Sequence, residues 1–314
     1  MPNIVICMKT YYKNNSGLFV ADPKESHYWI AFQNPTLEEQ HYLLEELQIP
    51  EAFYNDISDF DERPRIEIEN GWHLIIFRIP VVSNDVKLPF YTIPVGIIFN
   101  DSVLVSICFH ENEMIEDFVT YTQKKKANIE NNFDLVLKLL LSSSVWYLKY
   151  LKQVNQKIKL AEENLEKSIK NEELQALLQI EKCLVFFMTS LKGNSIVVHR
   201  IKNIKNGKSL NAELLEDVEI ELRQALEITN IYSDILTGTM DAYASVISNN
   251  MNDIMKKMTS ISIILMIPTV IASFYGMNVP NSLQDNMYGL PILILASVLL
   301  SSFGVFLFMK RKWF

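Results

Sequence analysis

A cytosolic α/β N-terminal domain, a long α-helical stalk and two C-terminal transmembrane helices make up the fold class that this 314-residue sequence predicts. Three observations carry the prediction. Short β-branched runs fill the first ~110 residues, Gly and Pro almost disappear between Met114 and Pro268, and charge almost vanishes after Lys257. With 49% hydrophobic and 21% charged residues the chain can bury a sizeable core, which excludes a disordered polymer.

The elements follow in order. Apolar or alternating runs at Ile4–Met8, Tyr28–Phe32, Trp72–Val82, Tyr91–Phe99 and Val103–Phe109 predict strands. Thr36 with Glu39 three residues on has the form of a capping box, so a helix is expected from there to about Gln48, ended by Pro50. Asn100-Asp101 between two apolar runs predicts a hairpin turn. Residues 131–168 place Leu135, Leu139, Val145, Leu148, Leu151, Val154, Ile158 and Leu165 at mostly helical steps, and a second helix is expected over 171–201. Gly207-Lys208-Ser209 has the form of the end of a phosphate loop, but Lys202 stands where its first glycine belongs and no strand leads in, so that reading fails. From Ala212 through Tyr275 nothing stops a helix, and a stripe from Leu215 to Met251 runs along it into the apolar region. A rod of that length cannot bury its stripe against one short partner, which predicts self-association.

Residues 258–275 and 288–309 carry no charged side chain, and at a rise of about 1.5 Å per residue each crosses the ~30 Å hydrocarbon core. Basic flanks stay cytoplasmic: Lys256 and Lys257 precede the first span, and Lys310, Arg311 and Lys312 follow the second. Tyr275 and Tyr288 then mark the outer boundary. The expected organisation is a cytosolic α/β domain over 1–113, a cytosolic helical domain and stalk over 114–257, a first membrane helix over 258–275, an extracellular loop over 276–287, a second membrane helix over 288–309 and a basic tail over 310–314. The location is the plasma membrane, with both termini cytoplasmic.

Composition removes several function classes. A formal charge of −8 argues against a nucleic-acid partner, because polyphosphate affinity rests on clustered Lys and Arg. Cys7, Cys108 and Cys183 have no paired spacing, so neither a disulfide framework nor a structural zinc site is indicated. His27, His41, His73, His110 and His199 are scattered, and no nucleophile elbow or dinucleotide fingerprint occurs, so neither an enzyme nor an organic cofactor is expected.

One face of the first span differs from lipid-facing sequence. Asn252, Met255, Met258, Ser262, Met266, Thr269, Ser273 and Gly276 recur at steps of 3, 3, 4, 4, 3, 4 and 3, a mean of about 3.4 residues and close to a coiled-coil seam. Two readings fit: close packing between helices, or the lining of a pore.

The span ends in Phe274-Tyr275-Gly276-Met277-Asn278-Val279-Pro280. Tyr-Gly-Met-Asn at the end of the first of two C-terminal membrane helices resembles the signature of the CorA family of divalent-cation channels. Met266-Ile267-Pro268-Thr269, the closing run Lys310 to Phe314, and Asp61-Glu62-Arg63-Pro64-Arg65 with Glu67 and Glu69 are also similar to family segments. The resemblance implies a funnel-shaped homopentamer in the lipid bilayer that passes Mg2+, and often Co2+ or Ni2+, through one pore lined by the first membrane helix. It places Asn252, Met255, Met258, Met266, Thr269 and Asn278 along that pore, on the stripe already described or just past its end.

Mg2+ dehydrates reluctantly, so a ring of Asn278 amide oxygens would accept hydrogen bonds from its water shell, with Gly276 letting the backbone turn and Met277 packing behind. A divalent ion crossing the membrane potential gains about 4.6 kcal/mol per 100 mV, and the methionines form apolar girdles able to shut a narrow path. Glu213, Glu216, Asp217, Glu219 and Glu221 crowd the start of the stalk, and the resemblance aligns Asp217 with an inter-subunit regulatory Mg2+ site whose nearest partner here is Asp85. A solvated acidic face is the other reading of that cluster. The loop 281–287 lacks the glutamate common in the family, although Met277 is kept where a zinc-transporting branch usually replaces it. Transport of another divalent metal (Co2+, Ni2+ or Zn2+), and a non-conducting membrane-anchored sensor or scaffold, remain alternatives.

Overall fold

The computed structural model describes residues 8–23, 26–83, 88–167, 171–204, 210–277 and 287–311. The chain divides into two compact units, 1–237 and 238–314.

The first unit is built on a seven-stranded sheet: β1 (Met8–Asn14), β2 (Leu18–Val20), β3 (Trp29–Gln33), β4 (Arg65–Glu69), β5 (Trp72–Val82), β6 (Phe90–Phe99) and β7 (Leu104–Cys108), in spatial order β2-β1-β3-β7-β6-β5-β4. Neighbours are antiparallel except β3 and β7. The β6–β7 turn falls at the expected place, where Asn100 Oδ1 accepts from the backbone N–H groups of Ser102 and Val103, each at 2.8 Å. β4 and β5 are joined by Asn70-Gly71, both at positive φ (50° and 82°), the backbone that a tight hairpin needs and that Asn and Gly tolerate. That hairpin was not expected from the sequence, and neither were β1 and β2. The predicted Ile4–Met8 strand lies outside the described residues except for Met8, which opens β1.

Side chains alternate across β5, so Trp72, Leu74 and Ile76 join Ile30, Phe32, Ile98, Val105 and Ile107 in one core face. Helix α2 (Glu51–Ser58) covers that face with Phe53, Tyr54 and Ile57, and Leu43, just after helix α1 (Leu37–His41), joins them. Thr36 caps α1 with the reciprocal Glu39 bonds the sequence predicts. The predicted helix to Gln48 instead widens into a π-type turn over Tyr42–Glu46, and Pro50 starts α2 as its N-cap.

Helices α3 (Met114–Lys125), α4 (Asn132–Lys167) and α5 (Asn171–Asn203) also belong to this unit, with α4 and α5 packed together and against β5 and β6. On α4 the expected Leu135, Leu139, Leu151, Val154, Ile158 and Leu165 are buried, joined by Ser143, Ser144, Trp146, Tyr147 and Tyr150, while Val145, expected with them, is exposed.

Helices α6 (Ala212–Gly276) and α7 (Gly289–Lys310) match the predicted stalk with first span and the second span. Three helices among the described residues are long and apolar enough to cross a membrane: α5, α6 and α7. In α5, 39% of the apolar stretch is already buried, against 6% in α6 and 0% in α7. The apolar content of α5 serves the sheet, through Leu184, Phe187, Leu191 and Val198; that of α6 and α7 is left largely uncovered among the described residues.

In the second unit α7 lies on α6, because a methyl group built on Gly304 would stand 3.6 Å from Ile267 Cδ1 and 3.8 Å from Ile264 Cγ1. Small residues let helix backbones approach this closely in a bilayer.

Candidate functional site

Ser260 is buried on α6, and Ile264, Ile267 and Ile271 are half-buried. These four recur at helical steps and form the face that meets α7. Asn252, Met255, Met258, Ser262, Met266, Thr269, Ser273 and Gly276 are all exposed. At about 100° of rotation per residue, their stripe centres roughly 180° away from the face under α7. The sequence stripe is therefore one continuous exposed face, and it is the face the second membrane helix leaves open.

Its chemistry is neutral. Ser262 Oγ donates to the Met258 carbonyl at 2.9 Å and Thr269 Oγ1 to the Leu265 carbonyl at 3.0 Å, so both hydroxyl hydrogens are spent within α6. Met258, Met266 and Met255 are 64%, 60% and 59% exposed, large apolar side chains interleaved with these oxygens. Pro268 lies inside the helix and supplies no N–H.

Gly276 ends α6 in ordinary backbone, with nothing within 4 Å of where a Cβ would sit. Gly276 is the last residue of the helix, and the expected backbone turn beyond Met277 falls outside the described residues. Met277 follows, half-exposed. Asn278, and with it the remainder of the expected selectivity ring, lies outside the described residues, as does Asp85.

Asp217 sits on α6 within the first unit, exposed, as are Glu213 and Glu216. Glu219 is taken by Lys202 of α5, whose Nζ lies 2.9 Å from Glu219 Oε1. Among the described residues no three His, Cys, Asp or Glu side chains converge as a metal site would require. Asp217 therefore belongs to no such three-residue cluster among the described residues.

The acidic segment before β4 is structural. Arg65 pairs with Asp56, Glu62 and Glu67, which ties the end of α2 to the start of the strand. Arg78 lies buried nearby on β5, donating to the Phe60 and Glu62 carbonyls at 2.8 Å and to the Thr92 carbonyl at 2.6 Å. Burial pushes its guanidinium below the usual arginine range. The same charge, together with burial as the larger cause, holds His110 below the usual imidazole value. Sequence reasoning missed Arg78; the available signal was one cation in the otherwise apolar run Trp72–Val82.

Comparison with known proteins follows the same outline. The sequence model for the family described as "CorA-like Mg2+ transporter protein" matches residues 24–311. A cobalt/magnesium transport protein CorA of Methanocaldococcus jannaschii is 25% identical over 291 residues, 91% of this chain and 90% of that protein. The protein of the same description from Thermotoga maritima is 33% identical over 98 residues, 31% of this chain and 28% of that protein. The complete structure of the Methanocaldococcus jannaschii CorA magnesium transporter superposes with a TM-score of 0.84 at 23% identity, covering 99% of this chain and 100% of that one.

Proposed function

Because the chain belongs to the CorA-like Mg2+ transporter family, a family of membrane transporters rather than enzymes, we propose that it conducts Mg2+ across the plasma membrane as a homopentamer. The observation that carries this reading is the exposed stripe of α6, which α7 leaves open. Copies arranged about an axis bring these faces together and put the eight stripe positions around one path, with α7 outside.

The chemistry suits a hydrated ion. Mg2+ gives up water reluctantly, and neutral oxygen acceptors bind its first-shell waters without stripping them. A ring of Asn278 amides supplies such acceptors at the outer mouth, flanked by Gly276 and Met277, and Ser262, Thr269 and Ser273 supply them along the path. No fixed charge lies between Met258 and Tyr275, so the driving force is the membrane potential. Met255, Met258 and Met266 are the apolar constriction. Asp217 of one copy, with Asp85 of the next as partner, forms the regulatory site at which internal Mg2+ neutralises carboxylates and favours the closed assembly. Both termini stay on the cytoplasmic side.

The test is Mg2+ entry into proteoliposomes under an inside-negative potential, read by a magnesium-sensitive dye. Entry should be present in the intact protein and lost in Asn278→Ala. A properly inserted oligomer that passes no Mg2+ at any internal concentration would move the reading first to another metal and then to a membrane-anchored scaffold. Co2+ is the first alternative cargo, since two relatives are described as cobalt/magnesium transport proteins.

A further inference from the structure

One hydroxyl in the second unit is withheld from every partner. Ser301, on α7, has a buried Oγ with no hydrogen bond. Ser260, Ser262, Thr269 and Ser297 each donate instead to the carbonyl four residues earlier. A hydroxyl shielded from water and unused by its own helix raises the free energy of a hydrocarbon-embedded segment until an acceptor reaches it.

The complementary defect lies on α6. Pro268 has no N–H, so the carbonyl of Ile264 lacks the donor that every ordinary helical residue provides four positions on. Both defects lie at the contact between α6 and α7. Gly304 rests beside Ile264 and Ile267, and Ser301, one turn before Gly304 on the same side of α7, stands about one turn further along α6, at the level of Pro268, as α7 runs back along it. Ile264 is half-buried on the α7-facing side.

We propose that Ser301 is the donor for the Ile264 carbonyl, and that making or breaking this hydrogen bond couples the seat of α7 to the course of α6 past Pro268. The bond is open in this structure. Closing it draws α7 against the proline turn and fixes the direction in which the outer half of α6 leaves it, and so the width of the path between Met266 and Ser273. Ser301 touches no ion; it is a positioning residue, and this role rests on the reading of α6 as the pore lining.

A set of four full-length proteins tests it: the native sequence, Ser301→Ala, Pro268→Ala and the double variant, with Ser301→Thr as the conservative control. Alanine at 268 restores an N–H to the Ile264 carbonyl, so the hydroxyl of Ser301 loses its purpose there. In proteoliposomes, Ser301→Ala should shift the internal Mg2+ giving half-inhibition of entry by about fivefold, Ser301→Thr should restore the native value, and Ser301→Ala should shift nothing in the Pro268→Ala background. Equal shifts in both backgrounds, or a threonine that behaves as alanine, would overturn the coupling. Thermal midpoints of the same proteins in detergent read it without transport: the Ser301→Ala loss should vanish when residue 268 is alanine, and additive losses would overturn it. Non-additive midpoints with no flux from any of the proteins would remove the transport reading and leave the Ser301–Ile264 pairing standing.

Discussion

The side-chain amide of Asn194 completes the edge of β5 at Arg78: its Oδ1 accepts the Arg78 backbone N–H at 2.9 Å and its Nδ2 donates to the Arg78 carbonyl at 2.8 Å. β4 stops pairing at Arg65 opposite Ile76, so beyond that point β5 has no strand on this side. A residue of α5 therefore takes the place of the missing strand and fastens the helical layer to the sheet. Tyr147 of α4 adds a second donor to the same carbonyl at 3.1 Å.

Replacing Asn194 with Ala strands a buried N–H and should cost about 1–3 kcal/mol, read as a fall in the thermal midpoint of the full-length protein. Tyr147→Phe should cost less, since Asn194 still serves the carbonyl. The double variant should lose more than the two losses added together, because only then is the carbonyl abandoned as well. Strict additivity would show that the two side chains do not share this acceptor.

Gly193 tests the same junction sterically. A Cβ there would sit 2.6 Å from Pro64 Cγ and 2.9 Å from Pro64 Cδ, and a proline ring cannot swing aside. Gly193→Ala should destabilise by roughly 1–3 kcal/mol. Gly276→Ala should leave the thermal midpoint unchanged, because its Cβ would meet nothing within 4 Å, so any loss of Mg2+ entry in that variant reports on the path and not on folding.

His110 gives the first unit a pH dependence of known sign. Burial and the Arg78 charge hold its folded pKa below the ordinary 6.5. As pH falls through that value the unfolded chain takes up a proton before the folded chain does, so the neutral imidazole's contribution is complete above it and is lost progressively below. His110→Gln should flatten the thermal midpoint against pH between about pH 5 and 7; an unchanged slope would assign the dependence to other groups.

On the proposed pore, replacing Met255 and Met258 with Ser should raise Mg2+ entry at inhibitory internal Mg2+, since hydroxyls would wet the constriction proposed at these thioethers. An unchanged leak would place the constriction elsewhere. Asp217→Asn should raise the internal Mg2+ needed to stop entry, and a native inhibition curve from that variant would leave the acidic face of α6 as a solvated surface.

How much of this was legible in the sequence depended on whether a signal was local. Thr36 with Glu39, Asn100, and the charge-free runs of α6 and α7 act within a few residues of themselves, and each stands where it was expected. The strand β4 was missed although Asn70-Gly71, the strongest hairpin dipeptide, precedes β5; its Arg-Ile-Glu-Ile-Glu alternation gave the second half of the signal. β1 was obscured by Lys9, which looks solvent-bound in sequence but lies 3.3 Å over the ring of Tyr42. The stripe on α6 was readable from spacing. What spacing withheld was the side from which α7 would cover the helix, because that depends on Gly304 meeting Ile264 and Ile267, a contact between residues far apart in the chain. The Asn194–Arg78 pairing was hidden for the same reason.

The hydroxyls of Ser262 and Thr269 point their hydrogens into their own helix and leave only oxygen lone pairs outward. Water around a cation presents its hydrogens to the surroundings, whereas water around an anion presents its oxygens. A wall that accepts and cannot donate fits the first shell and opposes the second. At Ser262 and Thr269 a conduit would therefore favour the shell of a cation through the orientation of hydrogen, with no carboxylate there to hold a divalent ion back once it had entered.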